Sequence, residues 1–288
     1  MDILRLIQED LGEPVSRWGR WAFFRCPFHP DEDPSLGVTP DTGTFYCFGC
    51  GKAGDARTWH REYRKETPPA PAGPPPHPAA KASAPPPQAW QGQVEGMLAR
   101  GTFPSGPHLT WLKGRGLTEE TLREGGLRSV PRVEVGDTAL PEGIAIPCRI
   151  GEALWYVKVR RFGPGPKYLQ VRGGRPFLFG ADRVQPGKPV VLVESELDAL
   201  LIAQEVPWVS AVALGTALRK PSLQEVAFLA RSPRWLVALD ADQAGERGNG
   251  WWRAFSGRAQ VLQVPCGKDP TEFVQQGGDL REWLGGVR

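Results

Sequence analysis

The sequence predicts an α/β protein built in parts: a small N-terminal ribbon, a tether, and a larger region that ends in a parallel sheet flanked by helices. Three observations predict it. From Lys188 onward, Val- and Leu-rich runs alternate with helical runs. Strands buried on both faces and joined by helices make parallel sheets. Residues 67–88, TPPAPAGPPPHPAAKASAPPPQ, hold ten prolines in 22 positions. Finally, Cys26-Pro-Phe-His29 is followed after 17 residues by Cys47-Phe-Gly-Cys50.

A chain of 288 residues has room for two modest domains, or one domain and a small module. Its 40% apolar and 23% charged residues are an ordinary globular balance. No apolar run reaches the ~18 residues that a membrane span needs. The start, MDILRLIQEDLGE, is amphipathic and acidic, unlike a signal or transit peptide. A cytoplasmic protein is expected. Five cysteines without a secretory signal argue against a disulfide framework. Cys148 and Cys266 lie in apolar, strand-like runs and are expected to be buried as small hydrophobes.

The composition divides the chain into residues 1–66, a ribbon; 67–88, a linker; 89–185, a mixed basic region; and 186–288, the parallel α/β domain. The linker has too few backbone donors for a helix or ladder and no core residues. As extended polyproline II, at ~3.1 Å per residue, it spans up to roughly 70 Å. In the basic region Thr118 should cap a helix over 119–124 that stops at Gly125-Gly126. IAIPCRI and ALWYVKVRRF alternate like paired strands that turn at Gly151-Glu152. The last region reads PVVLVE strand, LDALLIAQE helix, VSAVALG strand, SLQEVAFLA helix and RWLVALD strand. AGERGNGWWRAF follows as a helix interrupted by glycines, and AQVLQVP as a strand.

The Cys/His pairs predict one structural zinc ion. Two ligand pairs, each spaced by two residues, let tight turns bite a tetrahedral ion from either side. Cys26, His29, Cys47 and Cys50 complete four-coordination and leave no position for a reacting water. Short strands around 36–38 and 44–46 should close the ribbon. So small a module is expected to have too little core to fold without its metal. Arg25, Lys52 and Arg57, among Phe45, Tyr46 and Phe48, suit stacking on unpaired bases with phosphate contacts; about half of those aromatics should pack the ribbon's own core.

Glu194, Asp240 and Asp242 follow apolar strands. In a parallel sheet such strand ends share one edge, where ligands bind. Asp198 lies one helical turn past Glu194 and is expected to face the same cleft. Lys268-Asp269 reaches that edge too. Clustered carboxylates need a cation, and hard oxygen ligands suit Mg²⁺ or Mn²⁺. Such ions serve in-line attack on an α-phosphorus. The same acids also suit helix caps, as Asp242 does before Ala244. Between Ile144 and Lys188 nine Lys/Arg face two acids. A field of +7 attracts phosphate chains, and it also suits a solvated sheet face.

Over most of its length outside the linker, the sequence resembles the DnaG-type primases of bacteria and phages. CPFHPDEDPSLGV…FYCFGCGKAGD resembles their zinc ribbon. WLKGRGLTEETL resembles a leading helix, and IPCRI…VKVRRFGPGPKYLQ the basic half of their polymerase core. VLVESELDALL, ALGTAL, LDADQAG and GKDPTEF resemble successive segments of a TOPRIM domain. The resemblance implies a primase that joins NTPs into short RNA primers on single-stranded DNA. It implies zinc on Cys26, His29, Cys47 and Cys50, and Mg²⁺ or Mn²⁺ on Glu194, Asp240 and Asp242. Glu194 doubles as a general base, and Asp198 and Asp269 support the site. Arg149, Lys158, Arg160, Arg161, Lys167 and Tyr168 would line the groove for template and nucleotide, with Arg160 and Arg161 as alternatives for one role. Two departures stand out: Ser195 where the family often has Gly, and Thr271 where an acid is usual. The stop at Arg288, before the further helices and helicase-binding domain of cellular members, implies a phage, plasmid or mobile-element enzyme. A replicative helicase in a primosome is a possible partner. A TOPRIM nuclease and a non-catalytic single-strand-binding accessory are the alternatives.

Overall fold

The computed structural model describes residues 2–18, 21–32, 34–41, 43–65, 84–136, 138–163 and 166–286. The chain divides into two compact units, Met1–Pro78 and Ala79–Arg288. Most of the proline-rich linker expected over 67–88 lies outside the described residues, and its last position, Gln88, opens a helix.

In the first unit, helix α1 (Ile3–Leu11) starts where the Asp2 carboxylate accepts the Leu4 amide. Its Ile3, Leu6 and Ile7 fall on one face and are buried. Strands β1 (Ser16–Trp18), β2 (Trp21–Phe24), β3 (Leu36–Thr39), β4 (Thr44–Cys47) and β5 (Ala53–Asp55) form one antiparallel sheet in chain order. Asp55 caps a short helix, α2 (Ala56–Trp59), which runs on into a π-helical turn. Phe24, Leu36, Val38, Phe45 and Trp59 pack with the apolar face of α1. The core is thus larger than two ribbon strands supply. Helix α1 and Trp59 supply the difference. Trp59 Nε1 ties them together by donating to Asp10 at 2.6 Å.

The second unit opens with α3 (Gln88–Arg100), α4 (Gly106–Lys113) and α5 (Glu119–Glu124). Thr118 caps α5, accepting the Thr121 amide at 3.2 Å. There follow β6 (Arg128–Val130), a small hairpin of β7 (Val133–Val135) and β8 (Thr138–Leu140), then β9 (Gly143–Ile150), β10 (Ala153–Arg160) and β11 (Tyr168–Gln170). The antiparallel order is β11-β10-β9-β6. The β9–β10 hairpin turns at Gly151, whose φ of 57° suits glycine. Both faces of this hairpin are covered. Val157 and Val159 pack toward α3, while Ile146, Cys148 and Trp155 join the main core. The charged residues of the hairpin lie beside its turn, at Arg149 and Glu152, and toward its open end, at Lys158 and Arg160.

The rest is a parallel sheet: β12 (Val190–Val193), α6 (Glu196–Glu205), β13 (Ser210–Ala213), α7 (Leu223–Leu229), β14 (Trp235–Val237), α8 (Gln243–Phe255) and β15 (Ala259–Val261), followed by α9 (Pro270–Gln275) and α10 (Leu280–Gly285). Strand order is β13-β12-β14-β15. Two expectations are corrected. Helix α8 runs unbroken through its glycines. A Cβ at Gly245 would lie 1.9 Å from the Asp240 carbonyl oxygen, and one at Gly248 2.5 Å from that of Ala217. These glycines serve close packing rather than a break. Cys266 is exposed in a loop, since β15 ends at Val261; Cys148 is buried as expected. Among the described residues, no helix is long and apolar enough to cross a membrane.

Candidate metal centres and nucleic-acid surface

Cys26 leaves the end of β2, Cys47 closes β4, and His29 and Cys50 lie in the turns that follow them. Their ligand atoms all fall within 4.8 Å of one another. Cys26 Sγ is 3.9 Å from Cys50 Sγ, and Cys47 Sγ is 3.9 Å from His29 Nδ1. The edge of a tetrahedron around zinc with Zn–S bonds of ~2.3 Å is ~3.8 Å, so donors and spacing fit. Burial and the neighbouring thiols push Cys26 up to about 12. Only a cation lets such crowded thiols all ionise. The surroundings hold the ligands in place. Asp31 accepts from the Cys26 amide at 2.6 Å and from Ser35 Oγ at 2.9 Å, and Ser35 Oγ is 3.3 Å from Cys47 Sγ. His29 Nε2 sits 3.6 Å from Asp31 Oδ1. That orients the ring by its second nitrogen. Asp31 and Ser35 carry no sequence signal beyond lying between the ligand pairs.

Of the ribbon aromatics, Phe45 is core, whereas Tyr46 and Phe48 are exposed. Trp21 and Phe23, two residues apart on β2, join Phe48 at centroid distances of 5.6 and 6.0 Å. Gly37 beneath them is required: a Cβ there would lie 2.7 Å from Trp21. The alternation in Trp21-Ala22-Phe23-Phe24 was the available signal for this outer face. Lys52 is paired with Glu62 and lies over the Phe28 ring.

In the second unit, Glu194 follows β12 and Asp240 lies shortly beyond β14, at the carboxyl edge of the parallel sheet. Glu194 accepts the Asp240 amide through Oε1 and the Ala217 amide through Oε2, each at 3.1 Å. Burial, then the charge of Asp240, raises Glu194 to about 7. Burial raises Asp240 as well. Asp242 caps α8, Oδ1 accepting the Ala244 and Gly245 amides at 2.9 Å each. Its Oδ2 is 3.8 Å from Lys268 Nζ, which is also 2.9 Å from Asp240 Oδ2. Asp269 caps α9. Among the described residues, only the Cys/His group brings three or more ligand atoms within 4.8 Å. The carboxylates share one neighbourhood, with Lys268 as the cation between two of them. Their hard oxygens and mutual repulsion suit a divalent ion bound partly through water. A cavity of about 640 Å³ opens beside Asp240 and Asp242.

Asp198 is the most enclosed of these acids. It is buried within α6, where Thr271 Oγ1 donates to Oδ1, and Arg115 Nη2 lies 3.5 Å from the same oxygen. Arg115 also donates to Thr271 Oγ1 at 2.9 Å. Burial first, then Asp269, pushes Asp198 up to about 7. Its partners are thus an arginine and a hydroxyl of the interior. Arg115 gave no sequence signal: it sits in a Gly-Arg-Gly turn 83 residues before Asp198.

The basic residues separate into two kinds. Arg149 is paired with Glu95, Nη2 to Oε2 at 2.7 Å. Lys158 is 2.7 Å from the buried Glu196, which also accepts the Tyr156 hydroxyl at 2.8 Å. Both are engaged within the fold. Arg160 instead lies between rings, 5.0 Å from the Trp111 and Phe162 centroids and 5.5 Å from that of Tyr168. Lys167, Tyr168 and Phe162 are exposed beside it. The Arg161 amide donates to the Lys167 carbonyl at 3.0 Å. A cleft of about 700 Å³ lies next to Phe162 and His108, which stack at 5.1 Å.

Comparison with known proteins follows the same division. Residues 1–67 match the CHC2 zinc finger of the DnaG zinc-ribbon type. The DNA primase of Pseudomonas aeruginosa is 24% identical over 88% of this chain and 48% of its own length. That of Myxococcus xanthus is 26% identical over 96% of this chain and 55% of its own. The chain spans about half the length of the curated relatives it matches. Among solved structures, the Aquifex aeolicus primase, comprising zinc-binding and RNA polymerase domains, aligns with 99% of this chain and 83% of its own, with a TM-score of 0.53 and 22% identity. Residues 1–67 are therefore similar to a CHC2 zinc finger, and the chain as a whole is similar in sequence to bacterial DNA primases and shares the fold of the Aquifex aeolicus primase.

Proposed function

We propose that this chain is a DNA primase, a nucleotidyltransferase that joins NTPs into short RNA primers on single-stranded DNA during replication. The observation that carries the proposal is the carboxyl edge of the parallel sheet. Glu194, Asp240 and Asp242 meet there, in the same unit as the half-buried Arg160 and the exposed Phe162, Lys167 and Tyr168 around it.

Glu194, Asp240 and Asp242 would hold Mg²⁺ or Mn²⁺, with Asp269 nearby. Such an ion supplies charge neutralisation at the triphosphate and lowers the pKa of a bound hydroxyl. The chain's own residues do the rest. Two backbone amides fix Glu194 beside Asp240, where its carboxylate would also take up the proton of a 3′-hydroxyl. Arg160, stacked between rings, presents a rigid cation to phosphate, while Phe162 and Tyr168 offer faces to unpaired bases. Arg161 and Lys167 extend that surface. Lys158 and Arg149 act through the fold instead, by holding Glu196 and Glu95. In the first unit, zinc fixes the outer face of Trp21, Phe23, Tyr46 and Phe48 as a second surface for template. A replicative helicase is a further partner in this proposal.

The experiment is incubation of the purified chain with NTPs, Mn²⁺ or Mg²⁺ and a small library of single-stranded templates. Short oligoribonucleotides are expected from the wild type and none from Glu194→Gln. Absence of product on every template, or equal product from the variant, overturns the proposal. Cleavage of labelled DNA without nucleotides would point to a nuclease. DNA binding without any metal-dependent chemistry would point to an accessory protein.

A further inference from the structure

The carboxylate edge carries a cation of its own. Lys268 Nζ lies 2.9 Å from Asp240 Oδ2 and 3.8 Å from Asp242 Oδ2. The main chain around it is pinned on both sides: its carbonyl accepts the Ala241 amide at 2.8 Å, and its amide donates to Glu272 at 2.8 Å. The side chain is not enclosed, since it is 48% exposed. Lys268 therefore has a fixed base and a free stem.

We propose that Lys268 is a built-in competitor for the divalent ion: it offsets part of the charge of Asp240 and Asp242 in the metal-free chain and withdraws to solvent as the ion binds. This rests on the metal-binding role proposed above for those aspartates. An ammonium has no lone pair to offer a metal. At ~3–4 Å it would repel a divalent ion bound to the same oxygens. One cation must leave for the other to bind at Asp240 Oδ2. The contrast with Arg115 is instructive. Arg115 neutralises the buried Asp198, is only 20% exposed, and is held by Thr271 as well. It is a permanent partner, whereas Lys268 is placed to be exchanged. Lys268 is on this account a positioning residue: it lowers the negative charge of the edge until an ion arrives, and so sets the ion concentration at which the site fills.

The test is Mn²⁺ binding to the full, zinc-loaded chain without nucleotide, followed by electron paramagnetic resonance. It compares wild type, Lys268→Met, which keeps the stem, and Asp240→Asn. Lys268→Met is expected to bind Mn²⁺ about tenfold tighter or more. Its metal-free form should melt below wild type, and its Mn²⁺-saturated form should match it, so the metal-induced rise in Tm becomes larger. Equal or weaker Mn²⁺ binding by Lys268→Met, while Asp240→Asn loses it, overturns the competitor role alone. If neither wild type nor Asp240→Asn takes up Mn²⁺, the metal role of the edge fails, and this inference with it.

Discussion

The two ionic centres of this chain are built on opposite plans. At the zinc ribbon four ligands come from 25 consecutive residues and already lie within 4.8 Å of one another. At the carboxylate edge the acids come from positions 194 to 269, and the fold supplies its own cations, Lys268 and Arg115, to keep them together. The first is a closed centre that needs its metal for shape. The second is an open one whose charges are balanced provisionally, as the proposed uptake and release of ions and nucleotides requires. Removing an ion or a partner charge should therefore act very differently in the two.

The largest effect is expected from zinc removal or Cys47→Ser. Structural zinc contributes roughly 10–16 kcal/mol in zinc-finger peptides. The first unit should lose its amide protection in hydrogen exchange while the second keeps it. Equal loss in both units would show that the centres are not independent. Next comes Arg115→Ala, which leaves Asp198 buried with only Thr271 as partner. Breaking a buried pair costs ~3–5 kcal/mol. Because Asp198 already tends to hold its proton, at about 7, the loss should be smaller at pH 5.5 than at pH 8. A variant equally unstable at both would contradict this.

A third effect concerns pH. Glu194 is raised from 4.5 to about 7. Between those values the folded chain keeps a proton that the unfolded chain has released. Its contribution to stability is full below about pH 4.5 and is lost as pH rises through about 7. The metal-free chain should thus gain more from Mn²⁺ at pH 8 than at pH 5.5, and Glu194→Gln should flatten the slope. Calorimetry at the two pH values checks both statements. The smallest effect is expected at Arg149, whose pairing with Glu95 is solvent-exposed at 39% and 43%. Arg149→Ala should change stability by ~1 kcal/mol or less. It should leave DNA affinity far less altered than Arg160→Ala does; a larger loss at Arg149 would move the template path to that side.

The same difference explains what the sequence showed. Cys26, His29, Cys47 and Cys50 were legible because their spacing is local and zinc geometry is strict. Glu194 and Asp240 were legible because each follows an apolar run, and parallel strands end on one edge. The strand and helix order from Val190 to Val261 followed from the same alternation, whereas α9 and α10 did not. Arg115, Lys268 and Thr271 were not legible as partners of Asp198 and Asp240. Their roles depend on which loops meet over that edge, and no periodicity encodes that. Helical spacing put Asp198 near Glu194 without showing the Arg115 and Thr271 that enclose it. Cys266 misled because an apolar run outlasted its strand. The glycines of α8 read as breaks because close contact with the Asp240 and Ala217 carbonyls is invisible in one dimension.

The most direct test of an open carboxylate edge beside a closed zinc centre is primer synthesis and zinc content measured in the same preparations of wild type and Asp240→Asn. One zinc per chain in both, with oligoribonucleotide product only from the wild type, is the expected result. Equal synthesis by Asp240→Asn at full zinc content would contradict the account.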